Sequence, residues 1–292
     1  MTLRHGQAVA LMVAVTFLWA TAGVVTRQLE QAQAFEITFW RSAFTALSLA
    51  LILPLWQGRG VWRRMVTSGR ALWWSGVCWA VMFTAFMIAL ALTSVANVLI
   101  TLAAGPLLTA LISRLFFGQR LARQTWAAIV VAGLGIAWMF ARQLGEGGWL
   151  GSVVALGAPL GGAFNWNLVQ RSQREGHGVD LVPAVLVGAG VSAAVTLPLA
   201  WPLRASAHDV AWLAGLGVWQ LAVPCVLAVV CARVLKPTEV SMLGLLEVLF
   251  GIVLAWLGAG EVPSPAVWQG GALVLGALLT HLWLTQRKET SP

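Results

Sequence analysis

Apolar segments of about twenty residues recur along this chain from one end to the other, and each is long enough to cross roughly 30 Å of hydrocarbon as a helix. Ten are legible, at 7–26, 35–56, 71–92, 95–113, 124–141, 149–170, 179–200, 210–232, 239–258 and 265–285. A segment surrounded by lipid must satisfy its own backbone hydrogen bonds, so each is predicted to be a helix. The joining segments are too short for a separate soluble domain. Composition agrees: 59% of the 292 residues are hydrophobic and 10% are charged, against about 25% charged in soluble domains. A single core cannot hide that much apolar surface. The chain reads as an all-α integral membrane protein.

The apolar pattern runs through the chain twice. Leu53-Pro54-Leu55 closes the second segment, and Leu197-Pro198-Leu199 closes the seventh. Gln119 leads Trp126 into the fifth segment at the same spacing as Glu261 leads Trp268 into the tenth. Two five-helix halves follow, 1–143 and 144–292, and because five is odd the second is upside down relative to the first. Inverted repeats around a midplane site are an architecture of secondary transporters.

Charge orients the bundle. With the N-terminus in the cytoplasm, all of the 18 Lys and Arg residues except Arg27, Arg41, Arg142 and Arg204 fall at the cytoplasmic side. The positive-inside rule therefore predicts ten spans with both termini cytoplasmic, since an odd number would put Arg287-Lys288 on the wrong side. The net charge of +8 then reflects topology and anionic lipid, not a nucleic-acid partner. Ala20-Thr21-Ala22 mimics a signal-peptidase site. Apolar character continues through Val24-Val25, however, and the repeat needs this helix.

Several chemistries are missing. No phosphate-binding G-x-x-x-x-G-K-[ST] loop occurs, and only Lys236 and Lys288 are present as lysines. His5, His177, His208 and His281 form no H-E-x-x-H, no serine sits in a G-x-S-x-G turn, and intramembrane carboxylates are not paired. An embedded hydrolase needs a nucleophile and a base within reach of each other. Cys78, Cys225 and Cys231 lie inside apolar segments as small hydrophobes, with no metal or disulfide spacing. The chain is predicted to be no enzyme, with no cofactor and no metal. A small-molecule substrate and membrane lipid are its expected partners. Nothing in it sets the oligomeric state, and a monomer suffices.

Buried polar residues mark where a substrate would sit. Glu247 is the one acid deep in a span, where an ionisable group costs about 3 kcal/mol unless it faces the bundle interior or water. It reads as a partner for a substrate ammonium, a coupling carboxylate, or a neutral hydrogen-bonded Glu. Glu239, near Lys236, reads as a rim ion pair. Asn97 and Thr101 share one face of the fourth segment. Gly105-Pro106 then loosens that helix, because Pro106 donates no backbone hydrogen bond; Pro159 and Pro224 interrupt the sixth and eighth similarly. Asn165-Trp166-Asn167 and Gln220 are expensive facing lipid. Either these polar groups line a cavity or they are interhelical glue. Gly157-x-x-x-Gly161 reads as close packing. Of the 17 tryptophans, Trp56, Trp62, Trp149, Trp201, Trp212, Trp268 and Trp283 suit an aromatic belt. Trp19, Trp79 and Trp219 lie well inside spans, where an indole either packs against lipid or offers its face to an aromatic or cationic guest.

These features together resemble the drug/metabolite transporter superfamily and its ten-helix EamA-type members. The resemblance rests on Trp19-Ala20, Arg41, the run Asn97…Gly105-Pro106…Gln119-Arg120-Leu121, and Val240-Ser241 through Gly260-Glu261-Val262-Pro263. It spans the chain, and within the family it lies towards the YddG-type exporters of aromatic amino acids. It implies a bacterial inner-membrane protein with a central basket lined by the first, third, fourth, sixth, eighth and ninth helices. Gln119 stands where the family's first-half Glu is expected, and Gly105 occupies the repeat position of Glu247. The expected function is export of small amphipathic metabolites, above all neutral and aromatic amino acids, by alternating access. The runner-up is multidrug export of lipophilic cations, with a membrane-embedded enzyme or scaffold behind it. Trp19, Trp79 and Trp166 would supply apolar faces. Asn97, Thr101, Asn165, Gln220 and Glu247 would hold the polar head, and Gly105, Pro106, Pro159 and Pro224 would let the halves rock.

Overall fold

The computed structural model describes residues 3–26, 28–93, 95–140, 149–174, 180–259 and 264–290. Among these the chain is all-helical, without strands. In order the helices are α1 (His5–Ala20), α2 (Ala22–Thr26), α3 (Ala34–Gln57), α4 (Val61–Thr67), α5 (Arg70–Leu92), α6 (Val95–Leu102), α7 (Gly105–Leu115), α8 (Arg123–Phe140), α9 (Trp149–Ala155), α10 (Gly157–Arg174), α11 (Pro183–Ala200) and α12 (Ala207–Gly215). A π-helical turn (Leu216–Ala222) leads into α13 (Val223–Ala232), followed by α14 (Pro237–Gly244), α15 (Leu246–Ala259) and α16 (Pro265–Thr290).

Among the described residues, seven stretches are long and apolar enough to cross a membrane: His5–Thr26, Ala34–Gln57, Arg70–Ala89, Pro183–Ala200, Ala207–Ala232, Pro237–Leu254 and Pro265–Leu284. The predicted spans 95–113, 124–141 and 149–170 are mainly helical over their described residues but fall short of that standard. The first is broken at Ala103-Ala104 and the third at Leu156, while α8 opens on Arg123-Gln124 and α10 ends in a polar run, Asn165 to Arg174. The 143/144 boundary, Arg27, Arg142, His177 and Gly260-Glu261-Val262-Pro263 lie outside the described residues.

The α1/α2 break is at Thr21, whose hydroxyl donates to Leu18 O at 2.6 Å. Pro106 falls in the first turn of α7, where its missing N–H is harmless; it starts a helix instead of kinking one. Pro224 likewise sits in the first turn of α13, directly after the π-turn. By contrast Pro54 and Pro198 are carried inside α3 and α11.

The packing interleaves the two halves. α3 and α5 flank α11, α10 lies between α5 and α7, α1 lies against α13 and α15, and α8 pairs with α16. Small residues permit the closest approaches. A Cβ at Gly157 would meet Ala85 Cβ at 2.9 Å, and one at Gly161 would meet Cys78 O at 3.0 Å, so this glycine pair lets α10 lie tight on α5.

Carboxylates close both ends. At the end bearing the N-terminus of α1, Asp180 pairs with Arg233, accepts from Gln57 Nε2 at 2.6 Å, and accepts from Val182 N–H at 2.9 Å. There Glu239 meets His5 Nε2 at 3.3 Å and accepts the Lys236 backbone N–H at 2.8 Å. It is thus a helix cap with a histidine partner, not the rim ion pair with the Lys236 side chain that sequence spacing suggests. At the opposite end Asp209 accepts the backbone N–H groups of Glu30, Gln31 and Ala32 at 2.8, 2.9 and 3.0 Å. Reciprocally, Glu36 accepts those of Arg204 and Ala205 at 2.9 and 2.7 Å. Asp209 and Glu36 belong to different halves, and each clamps a loop of the other half through charge-assisted bonds of the stronger kind.

Candidate substrate cavity

Most of the broken helices converge on one cavity of about 190 Å³. Met12 and Trp19 reach it from α1, Trp79 and Phe83 from α5, Leu99 and Leu102 from α6, and Gly105 from α7. Pro159 and Trp166 come from α10, Gln220 from the π-turn, Cys225 from α13, Ser241 from α14 and Glu247 from α15. A Cβ at Gly105 would lie 3.6 Å from Pro159 Cβ, so the fourth and sixth segments present their breaks to each other. These are the basket helices that the resemblance implies, with one addition: Arg41 of α3.

Of the predicted substrate-contact residues, Trp19, Trp79, Trp166, Gln220 and Glu247 are brought together in this wall. Trp79 and Trp166 form an edge-to-face pair, centroids 5.5 Å apart at 85°, with Phe83 at 5.4 Å from the Trp79 ring. Asn165 does not line the cavity. It is fully buried between α10 and α5, where its Oδ1 accepts from Ser75 Oγ at 2.6 Å. Asn167 is equally buried, accepting from Ser113 Oγ at 2.7 Å and donating to Ala163 O at 2.8 Å. Thr101 sits on α6 away from the lining, and the side chain of Asn97 lies outside the description. Among the predicted hinges Gly105 and Pro159 line the wall, while Pro106 and Pro224 are buried beside it. Trp219 is 39% exposed on the outer surface, against Gly215 of the preceding turn.

Polar chemistry is sparse and pointed. Gln220 Nε2 donates to the Trp19 carbonyl at 3.3 Å, which ties the π-turn to the end of α1. Among the described residues its Oε1 has no hydrogen-bond partner, nor do Trp79 Nε1 and Arg41 Nε, and all three atoms are buried. Buried polar groups are nearly always satisfied, so three unsatisfied ones in one wall require an explanation. A π-turn often marks a functional site; here it places Gln220 against the cavity while Trp219 faces out.

Arg41 is the residue that sequence reasoning placed on the far-side border. It is 4% exposed and faces the same cavity as Glu247, within electrostatic reach of it but without an ion pair. Its carbonyl is gripped as well. Thr45 Oγ1 donates to Arg41 O at 2.7 Å and to Gly217 O at 2.9 Å. A Cβ at Gly217 would lie 2.9 Å from Arg41 O, so only a glycine lets the π-turn pack this closely on α3. A signal was available: of the four cations assigned away from the cytoplasmic side, Arg41 falls within a predicted apolar segment, 35–56.

No curated protein matches the chain. A solved structure described only as a crystal structure of a protein shares the fold, with a TM-score of 0.76 at 18% identity, over 98% of this chain and 99% of that one. The first half of the chain, over residues 6–141, matches the EamA-like transporter family.

Proposed function

We propose that this chain is a multi-pass membrane transporter of small molecules that exports amphipathic metabolites, above all neutral and aromatic amino acids, by alternating access. The carrying observation is the cavity, whose wall brings Trp19, Trp79 and Trp166 together with Glu247 and carries three buried polar atoms, on Arg41, Trp79 and Gln220, that have no partner among the described residues. Such a site is sparing in polar groups and rich in aromatic faces, which suits a solute with a charged head and an apolar body.

The inverted-repeat reading, with ten spans and cytoplasmic termini, draws support from the packing. Exchanging the first five segments for the last five turns the α5·α10 contact into α13·α1 and α7·α10 into α15·α1, while α3·α11 and α8·α16 map onto themselves. Close approaches correspond too: a Cβ at Gly76 would meet the side chain of Val187 and the Ala184 carbonyl, and one at Gly217 would meet Phe44 and the Arg41 carbonyl. Rocking the halves about these contacts would expose the site to either face. The resemblance to YddG-type exporters agrees with an aromatic cargo and an inner-membrane address.

The test is counterflow of labelled neutral amino acids into proteoliposomes preloaded with the unlabelled compound. Saturable uptake is expected, strongest for aromatic side chains. Uptake of lipophilic cations alone would replace this reading with multidrug export.

A further inference from the structure

Arg41 is an expensive residue to place here. A guanidinium is charged at any accessible pH and has no acceptor capacity. Within a membrane-spanning segment it must face a partner or a cavity. Among the described residues its Nε is buried without a partner, the one carboxylate within electrostatic reach is Glu247, and no ion pair closes between them. The two are held on separate walls, Arg41 on α3 of the first half and Glu247 on α15 of the second.

Resting on the transport reading above, we infer that Arg41 and Glu247 are the two poles of a receptor for a zwitterion: Arg41 receives the carboxylate of the cargo and Glu247 its ammonium. The guanidinium fork suits a planar carboxylate. Gln220 Oε1, an unpartnered acceptor, adds a seat for an ammonium hydrogen, and Trp79 Nε1, an unpartnered donor, adds one for a carboxylate oxygen. Each orphan atom thereby receives the kind of partner it lacks. The apolar body of the cargo then lies among Trp19, Trp166 and Phe83. Selectivity follows from both charges together: losing either group of the cargo leaves one buried protein charge unmatched, the most heavily penalised outcome in such a site.

The experiment is competition against labelled phenylalanine counterflow in proteoliposomes. The competitors are phenylalanine methyl ester and phenethylamine, which lack the carboxylate, and 3-phenylpropionate, which lacks the ammonium. For the parent protein all three should compete at least about tenfold more weakly than phenylalanine. Arg41→Gln should reverse the preference at that pole, so that phenethylamine competes better than phenylalanine; Glu247→Gln should do the same for 3-phenylpropionate. A preference that reverses cannot come from a misfolded carrier. If Arg41→Gln fails to reach the membrane, the parent series decides alone. Phenylalanine counterflow that ester and amine inhibit as well as phenylalanine does would overturn this inference and leave the transport reading standing. Absence of counterflow for every neutral amino acid would overturn the reading beneath it.

Discussion

A buried polar side chain either holds the protein together or waits for a guest, and its hydrogen bonds together with its place relative to the cavity tell which. Asn165 lies off the cavity, its Oδ1 held by Ser75 although its Nδ2 has no partner among the described residues, so Asn165→Ala should destabilise the protein by about 1–3 kcal/mol, seen as a lower melting temperature in detergent with little change in substrate affinity. Trp79 keeps an idle N–H at the cavity wall. Trp79→Phe retains most of the ring and should weaken apparent affinity about two- to tenfold, the worth of one net hydrogen bond, while melting stays near the parent value. Gln220→Ala should also lower transport at near-normal membrane abundance. If Trp79→Phe and Gln220→Ala both transport like the parent, the cavity is not the binding site. Glu247 stood out in the sequence because a lone acid amid apolar residues must face a cavity or a hydrogen-bonding partner, and the structure places it on the cavity wall. Arg41 was not, because an arginine near the end of a span reads equally as one that snorkels to the interface; only the approach of the π-turn to α3 decides that it is roofed over.

Helices here are informative where they fail. Prolines mark the fourth, sixth and eighth segments as interrupted, but they do not say how. Pro106 and Pro224 begin new helices, and the backbone slack before Pro224 is taken up as seven π-helical residues. Hydropathy periods carry no trace of such a change of hydrogen-bond register, which is why the sequence alone does not assign Gln220 and Trp219 to opposite faces. Pro224→Ala restores a donor and should let the turn relax towards α-helical spacing, rotating Gln220 out of the wall. Transport should fall several-fold while abundance holds; an unchanged carrier would mean that the π-turn is indifferent to that proline. Gly217 tests the same element from its packing side. Gly217→Ala forces a Cβ to within 2.7 Å of Phe44 Cβ, and overpacking of this sort costs about 1–3 kcal/mol.

Across the whole molecule, the apolar segments made the helical class plain, whereas which helices pack together had to come from the structure. The count of spans was less legible: breaks at Ala103-Ala104 and Leu156 divide the fourth and sixth segments, and seven stretches among the described residues are long and apolar enough to cross. Topology is open to a direct check: with a single cysteine replacing Glu30 or Val66, an impermeant reagent added outside intact cells should label the first and spare the second. The reversed result would turn the bundle over and remove the basis of the charge argument. The two carboxylate clamps at the Glu30 end have a consequence of their own. Backbone N–H groups held by Asp209 and Glu36 exchange with solvent only when those carboxylates let go, so the amides of residues 30–32 and 204–205 are a built-in clock for the opening of that face. Because each clamp joins opposite halves, both sets should exchange at one common rate, and Asp209→Ala should quicken exchange at Arg204 and Ala205, whose amides Glu36 holds. Deuterium uptake that rises only at residues 30–32 would mean that the clamps release independently, and that the halves separate loop by loop.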